Sequence, residues 1–531
     1  MSDRNHMSGK KKTINRTSKK QENVRQRDAR IKAEVRKNRR NQTADTRKRR
    51  AMKAQRKREK ANNKPVVVIS YLFLMLFIGM IGYFADYMIN ESEHTKDVMS
   101  SESASILEKN VIRGNILSAE GHVLATTKIT TDEYGEESEV RFYPYGNMFC
   151  HVIGYTSRGT SGLEKSMNSA LTTSSSASPL DEVDGTKDMG NNVITTLDAE
   201  LTDEVNKAMG DYQGAAIGIE PDTGKVLFEI SNPDFDPNTI ITNYDAIVST
   251  EGSPFLNRTT NGKYTPGSTF KLLTLLEYIN EHPTDYTNYS YNCTGTFEYK
   301  GSSMQCINGT AHGYEDLYEA FAKSCNCTFS EIGCSLNITN FANLCNSMLF
   351  NQDLPTDIDH KQSSFSIDDN VFTIMQTSIG QGQTLVTPLH LAMLASCVAN
   401  NGTLMKPYIV SEIQDSNGET VTTYNPEVAA QLMTSDQANV LSTFMREVVS
   451  ASYGTANALK SSLYTAYGKT GTAQIGSLLE GTAQSNALFM GYAEDENGKK
   501  IAICIVLENI GDGKSPVVSI AKDILDYYYN N

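Results

Sequence analysis

Two side chains one helical turn apart carry the first chemical signal. Ser268 and Lys271 stand in the run Tyr264-Thr-Pro-Gly-Ser-Thr-Phe-Lys271. Pro266-Gly267 reads as a turn, and the segment STFKLLTLLEYI that follows it is apolar on nearly every face, as a buried helix is. The i, i+3 spacing puts both side chains on one face. Burial disfavours the charged form of a lysine, so a neutral Lys271 could take the Ser268 proton. The helix N-terminus would favour the developing anion. The plain alternative is a serine that caps a core helix. Ser-x-x-Lys alone decides nothing, because Ser8-Gly-Lys-Lys11 also fits it.

Two further elements follow. Ser324-Cys325-Asn326 is a Ser-x-Asn, a pattern shared with Ser166-Met-Asn168 and Ser335-Leu-Asn337. Lys469-Thr470-Gly471-Thr472-Ala473 holds the only Lys-Thr-Gly. Its alternating small and β-branched residues suit an edge strand able to pair with an extended peptide, and Gly471 would let a substrate backbone approach closely. The weight lies in the order. Ser268, Ser324 and Lys469 lie 56 and then 145 residues apart, in the sequence Ser-x-x-Lys, Ser-x-Asn, Lys-Thr-Gly of penicillin-recognising acyl enzymes.

The chain must place these residues somewhere. Its 531 residues allow two or three domains. The net charge of −13 conceals an asymmetry: residues 1–64 hold 25 Lys/Arg and 6 Asp/Glu, and the remainder 24 and 56. The sign changes at Val66–Phe84, 19 residues without a charge, which as a helix would span roughly 28 Å, close to a bilayer core. A cleaved signal peptide is the rival, disfavoured by the length of the run and the absence of an A-x-A site. The expectation is a retained single-pass anchor over 65–85, with the basic disordered tail 1–64 cytoplasmic and the rest extracytoplasmic in the plasma membrane. Tyr71, Tyr83 and Tyr87 are the interfacial aromatics of a chain without Trp. The basic tail reads as a topology signal, and no nucleic acid is expected as a partner.

All nine cysteines follow the anchor, where disulfides are permitted. The count is odd, so at least one is free or pairs with another chain; Cys293 with Cys306 is the leading pair. Zinc on Cys325, Cys327, Cys334 and Cys345 is discounted, because no C-x-x-C and no His at ligand spacing accompanies them. No metal and no cofactor is expected. A stalk over 86–105 leads to a small β-rich or mixed region over 106–205. The main domain, 206–531, starts with a hairpin of Ala215–Ile219 and Val226–Ile230 around Pro221-Asp-Thr-Gly224. Helical patterns dominate 268–460, strands return at Ala487–Tyr492 and Ile501–Leu507, and a helix Val517–Tyr529 closes the chain. The implied α+β fold is an antiparallel sheet covered by helices.

Over roughly residues 111–529 the chain resembles class B penicillin-binding proteins. Arg113-Gly-Asn-Ile116 with Gly121-His-Val-Leu-Ala125, Arg141-Phe-Tyr-Pro144 with His151-Val-Ile-Gly-Tyr155, and Gly159-Thr-Ser-Gly-Leu-Glu164 are similar to the motifs of their N-terminal pedestal. Asn257-Arg258, Gly380-Gln-Gly382, Thr387-Pro388 and Asn401-Gly402 are also typical. Ser118 stands where the family usually has Asp, and Leu488 where it has an aromatic. The resemblance implies a penicillin-recognising serine transpeptidase fold with a pedestal (dimerisation-like) domain. It implies Ser268 as nucleophile on the penultimate D-Ala carbonyl of a peptidoglycan stem peptide, Lys271 as general base and Ser324 as proton relay. Asn326 would orient Lys271, Lys469 would hold positive potential, and Thr470 and Thr472 would bind the substrate carboxylate. The N–H groups of Ser268 and Thr472 would form the oxyanion hole. It further implies β-lactams as covalent inhibitors and a SEDS-type glycosyltransferase as membrane partner. The competing readings are a D-Ala carboxypeptidase, a β-lactamase or β-lactam sensor, and, from another class, a non-catalytic scaffold of wall synthesis.

Overall fold

The computed structural model describes residues 30, 32, 46–58, 69, 71–83, 111–132, 134–175, 187–475, 484–510 and 515–531. Contacts divide the chain into two units, Met1–Met99 and Ser100–Asn531. In the first, residues 46–58 and 71–83 are helical, and no helix among the described residues is long and apolar enough to cross a membrane. Most of the basic tail, the whole stalk and the ends of the Val66–Phe84 run lie outside the described residues.

The second unit is built on a five-stranded antiparallel sheet. Its order is Thr465–Ile475, Gln484–Glu494, Lys500–Ile510, Gly214–Ile219, Val226–Asn232. Gly224 makes the first hairpin turn: its φ is +84° and a Cβ there would collide with the Lys406 carbonyl. Every residue from Ile501 to Leu507 is buried, as in a strand covered on both faces. The cover comes from helix Pro388–Ala399, buried along its whole length, and from Val517–Asn530, which also packs on Ala199–Met209. Thr387-Pro388 has a structural role. The Thr387 side chain caps that central helix by accepting from His390 N, and the proline takes its first position.

A six-stranded sheet forms a second layer, in the order Thr420–Thr423, Val410–Gln414, Asn192–Thr195, Ile116–Leu117, Val123–Thr131, Glu137–Phe142. Beside it three motifs far apart in sequence meet on one carboxylate. Arg113 Nε is 2.6 Å and Arg141 Nε 2.7 Å from opposite oxygens of fully buried Glu164. Ser118, at the position of the usual Asp, keeps a turn role: its Oγ accepts from His122 N at 3.1 Å and donates to Glu120 Oε2 at 2.7 Å.

The helical reading of 268–460 is incomplete. Four short strands, Ser290–Cys293, Thr296–Tyr299, Ser302–Gln305 and Gly313–Asp316, separate the helix after Ser268 from the helix after Ser324. They pair two by two. Each has only four residues and a partly exposed polar face, too short for a period-2 pattern to stand out.

Candidate active site

Ser268 lies in a 3-10 turn, Gly267–Phe270, that feeds directly into helix Lys271–Glu281. Gly267 adopts φ +55°, and a Cβ on it would come within 2.5 Å of Thr472 O. The Ser268 turn therefore rests against the Lys469–Thr472 segment, and only glycine permits that approach. Gly380 clamps the turn from the other side: its O accepts from Gly267 N at 2.9 Å, and a Cβ on it would strike the Gly267 carbonyl. The loop before Ser268 is tied to the sheet by Glu508, which accepts from Arg258 Nε at 2.9 Å and from Tyr264 Oη at 2.6 Å.

Ser324 sits between two helices. Helix Leu317–Ala322 ends just before it, and its φ of +60° occupies the left-handed position where a helix end usually has glycine. The cost of a side-chain-bearing residue there is accepted where the geometry is needed. The result is a hydroxyl held between two lysines. Lys469 Nζ donates to Ser324 Oγ at 2.8 Å. Lys271 Nζ is 3.4 Å from the same oxygen, and donates to Ser324 O at 2.7 Å and to Asn326 Oδ1 at 2.8 Å. Asn326 in turn donates to Gln305 O at 3.0 Å. These bonds leave Lys271 without a direct hydrogen bond to the Ser268 hydroxyl. Ser268 is 9% exposed, whereas both lysines are fully buried. Burial pushes Lys271 down to about 8, with Cys325, Cys306 and Glu315 pulling the other way. Burial, reinforced by Lys271, pushes Lys469 well below the ordinary lysine range. Two ammonium groups around one buried hydroxyl repel, so the pair sheds a proton more readily than either lysine alone.

Lys469, Thr470, Gly471 and Thr472 lie on the edge strand of the five-stranded sheet. Thr470 Oγ1 donates to Thr455 Oγ1 at 2.7 Å, and Thr472 is exposed. Two of the other Ser-x-Asn matches, at Ser166 and Ser335, are elsewhere. Ser335 Oγ donates to Ile332 O at 2.6 Å and Asn337 caps the next helix. Asn168 accepts from Arg113 beside the six-stranded sheet.

The arrangement is that of a serine acyl-transfer site, and comparison with known proteins agrees. Residues 214–526, more than half of the chain, match the model of the penicillin binding protein transpeptidase domain. The chain belongs to the penicillin-binding protein transpeptidases. Residues 113–193 of this penicillin-binding protein match the penicillin binding protein A dimerisation domain. Its relatives include the peptidoglycan D,D-transpeptidase PbpA of Mycolicibacterium smegmatis, 29% identical over 75% of this chain and 84% of the relative. Another is the peptidoglycan D,D-transpeptidase MrdA of Acinetobacter baumannii, 27% identical over 74% of this chain and 66% of the relative. These place it in class B. The fold is that of PBPA from Mycobacterium tuberculosis, with a TM-score of 0.71 at 24% identity over 78% of this chain and 99% of that one.

Behind Lys271 this penicillin-binding protein carries a group that spacing along the chain does not announce. Cys293, Cys306, His312 and Cys325 offer one ligand atom each, all within 4.8 Å of one another. This is not the set Cys325, Cys327, Cys334 and Cys345 considered for zinc above: short-strand pairing and a turn bring residues 293–312 onto the start of helix Asn326–Ser335. Three thiols and an imidazole can hold a thiophilic tetrahedral cation such as zinc. Buried Glu315 stands next to them: its Oε1 accepts from Thr328 Oγ1 at 2.6 Å, and its Oε2 has no hydrogen-bond partner among the described residues. The leading disulfide candidates are free thiols here, with Cys293 Sγ 3.7 Å from Cys306 Sγ.

Proposed function

We propose that this chain is a membrane-anchored peptidoglycan D,D-transpeptidase that cross-links stem peptides through an acyl-enzyme on Ser268. The observation that carries the mechanism is the chain of contacts Lys271–Ser324–Lys469, with both lysines fully buried and next to the nucleophile turn. Neutral Lys271 takes the Ser268 proton as Oγ attacks the penultimate D-Ala carbonyl. The N–H groups of Ser268 and Thr472, brought close by Gly267, stabilise the oxyanion. Ser324 then passes a proton toward the departing D-Ala amine, resupplied across its contact with Lys469. Asn326 holds Lys271 in register, and Thr470 and Thr472 on the open edge strand receive the substrate carboxylate. An amino group of a neighbouring stem peptide resolves the ester and completes the cross-link. A β-lactam enters the same path and leaves Ser268 esterified.

The relatives named peptidoglycan D,D-transpeptidase support this reading, as does a similar fold described as an imipenem acyl-enzyme complex of penicillin-binding protein A. The run Val66–Phe84 is the proposed single-pass anchor, with the basic tail cytoplasmic and the catalytic domain extracytoplasmic. Residues 106–205 are the proposed pedestal, organised by Arg113, Arg141 and Glu164, and a SEDS-type glycosyltransferase is the partner that class membership suggests. The test is a covalent adduct with labelled penicillin that vanishes in Ser268→Ala and survives in Ser335→Ala; an adduct that persists in Ser268→Ala overturns the assignment. Product analysis with donor and acceptor stem peptides then separates cross-linking from hydrolysis to the carboxypeptidase product.

A further inference from the structure

Acylation leaves a cluster of four sulfurs without a role. Cys306 is their hub: its Sγ lies 3.4 Å from Cys327 Sγ and 3.7 Å from those of Cys293 and Cys325. Cys293, Cys306 and Cys325 converge with His312, and Cys327 is the extra sulfur outside that set. A disulfide has an S–S distance of about 2.05 Å, so the 3.4 Å between Cys306 and Cys327 leaves roughly 1.4 Å to close.

The residue before each of these two sulfurs belongs to the machinery that holds the base. Gln305 O accepts from Asn326 Nδ2 at 3.0 Å, and Asn326 Oδ1 accepts from Lys271 Nζ at 2.8 Å. Drawing Cys306 and Cys327 together therefore displaces Gln305 and Asn326, and Lys271 loses its register. Both sulfurs are buried, but the chain leaves Cys306 through the one-turn segment Ile307–Gly309, whose Ile307 is 58% exposed. Opening that turn gives an oxidant access to Cys306.

We propose that Cys306 and Cys327 form a reversible disulfide that switches acylation off by re-aiming Asn326. The proposal rests on the reading of Ser268 and Lys271 as the acylating pair. The oxidant is a disulfide, either a small molecule or a disulfide-bearing oxidoreductase. One cysteine attacks it to give a mixed disulfide and releases the first thiol; the second cysteine displaces the other. Cys306 and Cys327 together lose two protons and two electrons, their Sγ–Sγ bond forms, and the oxidant leaves as two thiols. A displacement of about 1 Å at a positioned catalytic group costs on the order of a hundredfold in rate.

The test treats the purified full-length chain with a metal chelator and then with oxidised glutathione. The acylation rate with fluorescent penicillin is measured, and the unreduced protein is digested and mapped by mass spectrometry. The expected result is a fall of at least about tenfold, reversal by dithiothreitol, and a Cys306–Cys327 peptide whose yield follows the loss. Cys327→Ser acylates at a rate close to that of the untreated chain and keeps it under oxidant. Cys334→Ser, which removes a half-buried thiol on the same helix, stays sensitive. A cross-link between Cys306 and Cys293 in its place, a full rate with the Cys306–Cys327 bond formed, or oxidant inhibition that persists in Cys327→Ser overturns the switch. The mapping and its reversal are read on the unsubstituted chain, so a poorly folding variant does not decide the outcome. A reduced chain that never acylates overturns the functional reading itself, and the switch with it.

Discussion

Acylation by penicillin should depend on the loss of one proton near pH 8. Lys271 is the group: its ordinary value of 10.5 is pushed down to about 8 by complete burial, against the partial pull of Cys325, Cys306 and Glu315. A depressed value means that the neutral base accumulates as pH rises through 8. At pH 7 about one Lys271 in ten is then neutral, against roughly one in three thousand for a solvent-exposed lysine, a gain of roughly a few hundredfold or about 3 kcal/mol. The perturbation is pH itself, from 5.5 to 9.5, and the readout is the second-order rate constant for acylation of the full-length chain by a fluorescent penicillin. The rate should climb about tenfold per unit below pH 7.5 and level off above 8.5. Lys271→Ala should lower the rate and flatten the profile. A profile already flat between pH 6 and 9 in the unsubstituted chain, or a bend unchanged in Lys271→Ala, would refute burial as the source of the base.

Two other substitutions probe the supports of the site. Asn326→Ala removes the 2.8 Å acceptor of Lys271 Nζ and the donor to Gln305 O; acylation should fall ~10- to 100-fold while the melting temperature changes little, and an unchanged rate contradicts the orienting role. Glu164→Ala leaves two buried guanidinium groups unpaired. It should cost about 3–5 kcal/mol in denaturant unfolding, and a loss below about 1 kcal/mol would show that the cluster does not hold the region together.

Local physics made part of this protein readable in one dimension. The spacing of Ser268 and Lys271 is a helical turn, so their shared face follows from the chain itself. The hairpin at Pro221–Gly224 and the terminal strands follow from turn residues and apolar runs, and the structure extends the latter to Gln484–Glu494 and Lys500–Ile510. The short strands between 290 and 316 were not readable, because four residues give no period and their pairing is set by partners rather than by propensity.

From sequence by itself, Ser324, Ser335 and Ser166 were equivalent Ser-x-Asn serines, and only order and resemblance favoured the first. The tertiary structure separates them physically. Ser324 is the one whose hydroxyl lies between two buried lysines, 53 and 145 residues away, while Ser335 bonds its own helix. The same holds for the sulfurs. Nothing in the spacing of 293, 306, 312, 325 and 327 announces a cluster; it exists because β-pairing returns the chain to the start of the helix that carries Asn326. Sequence determined which local turn could make a nucleophile and its base; long-range packing decided which distant groups surround them, since contacts between segments depend on how the whole core closes.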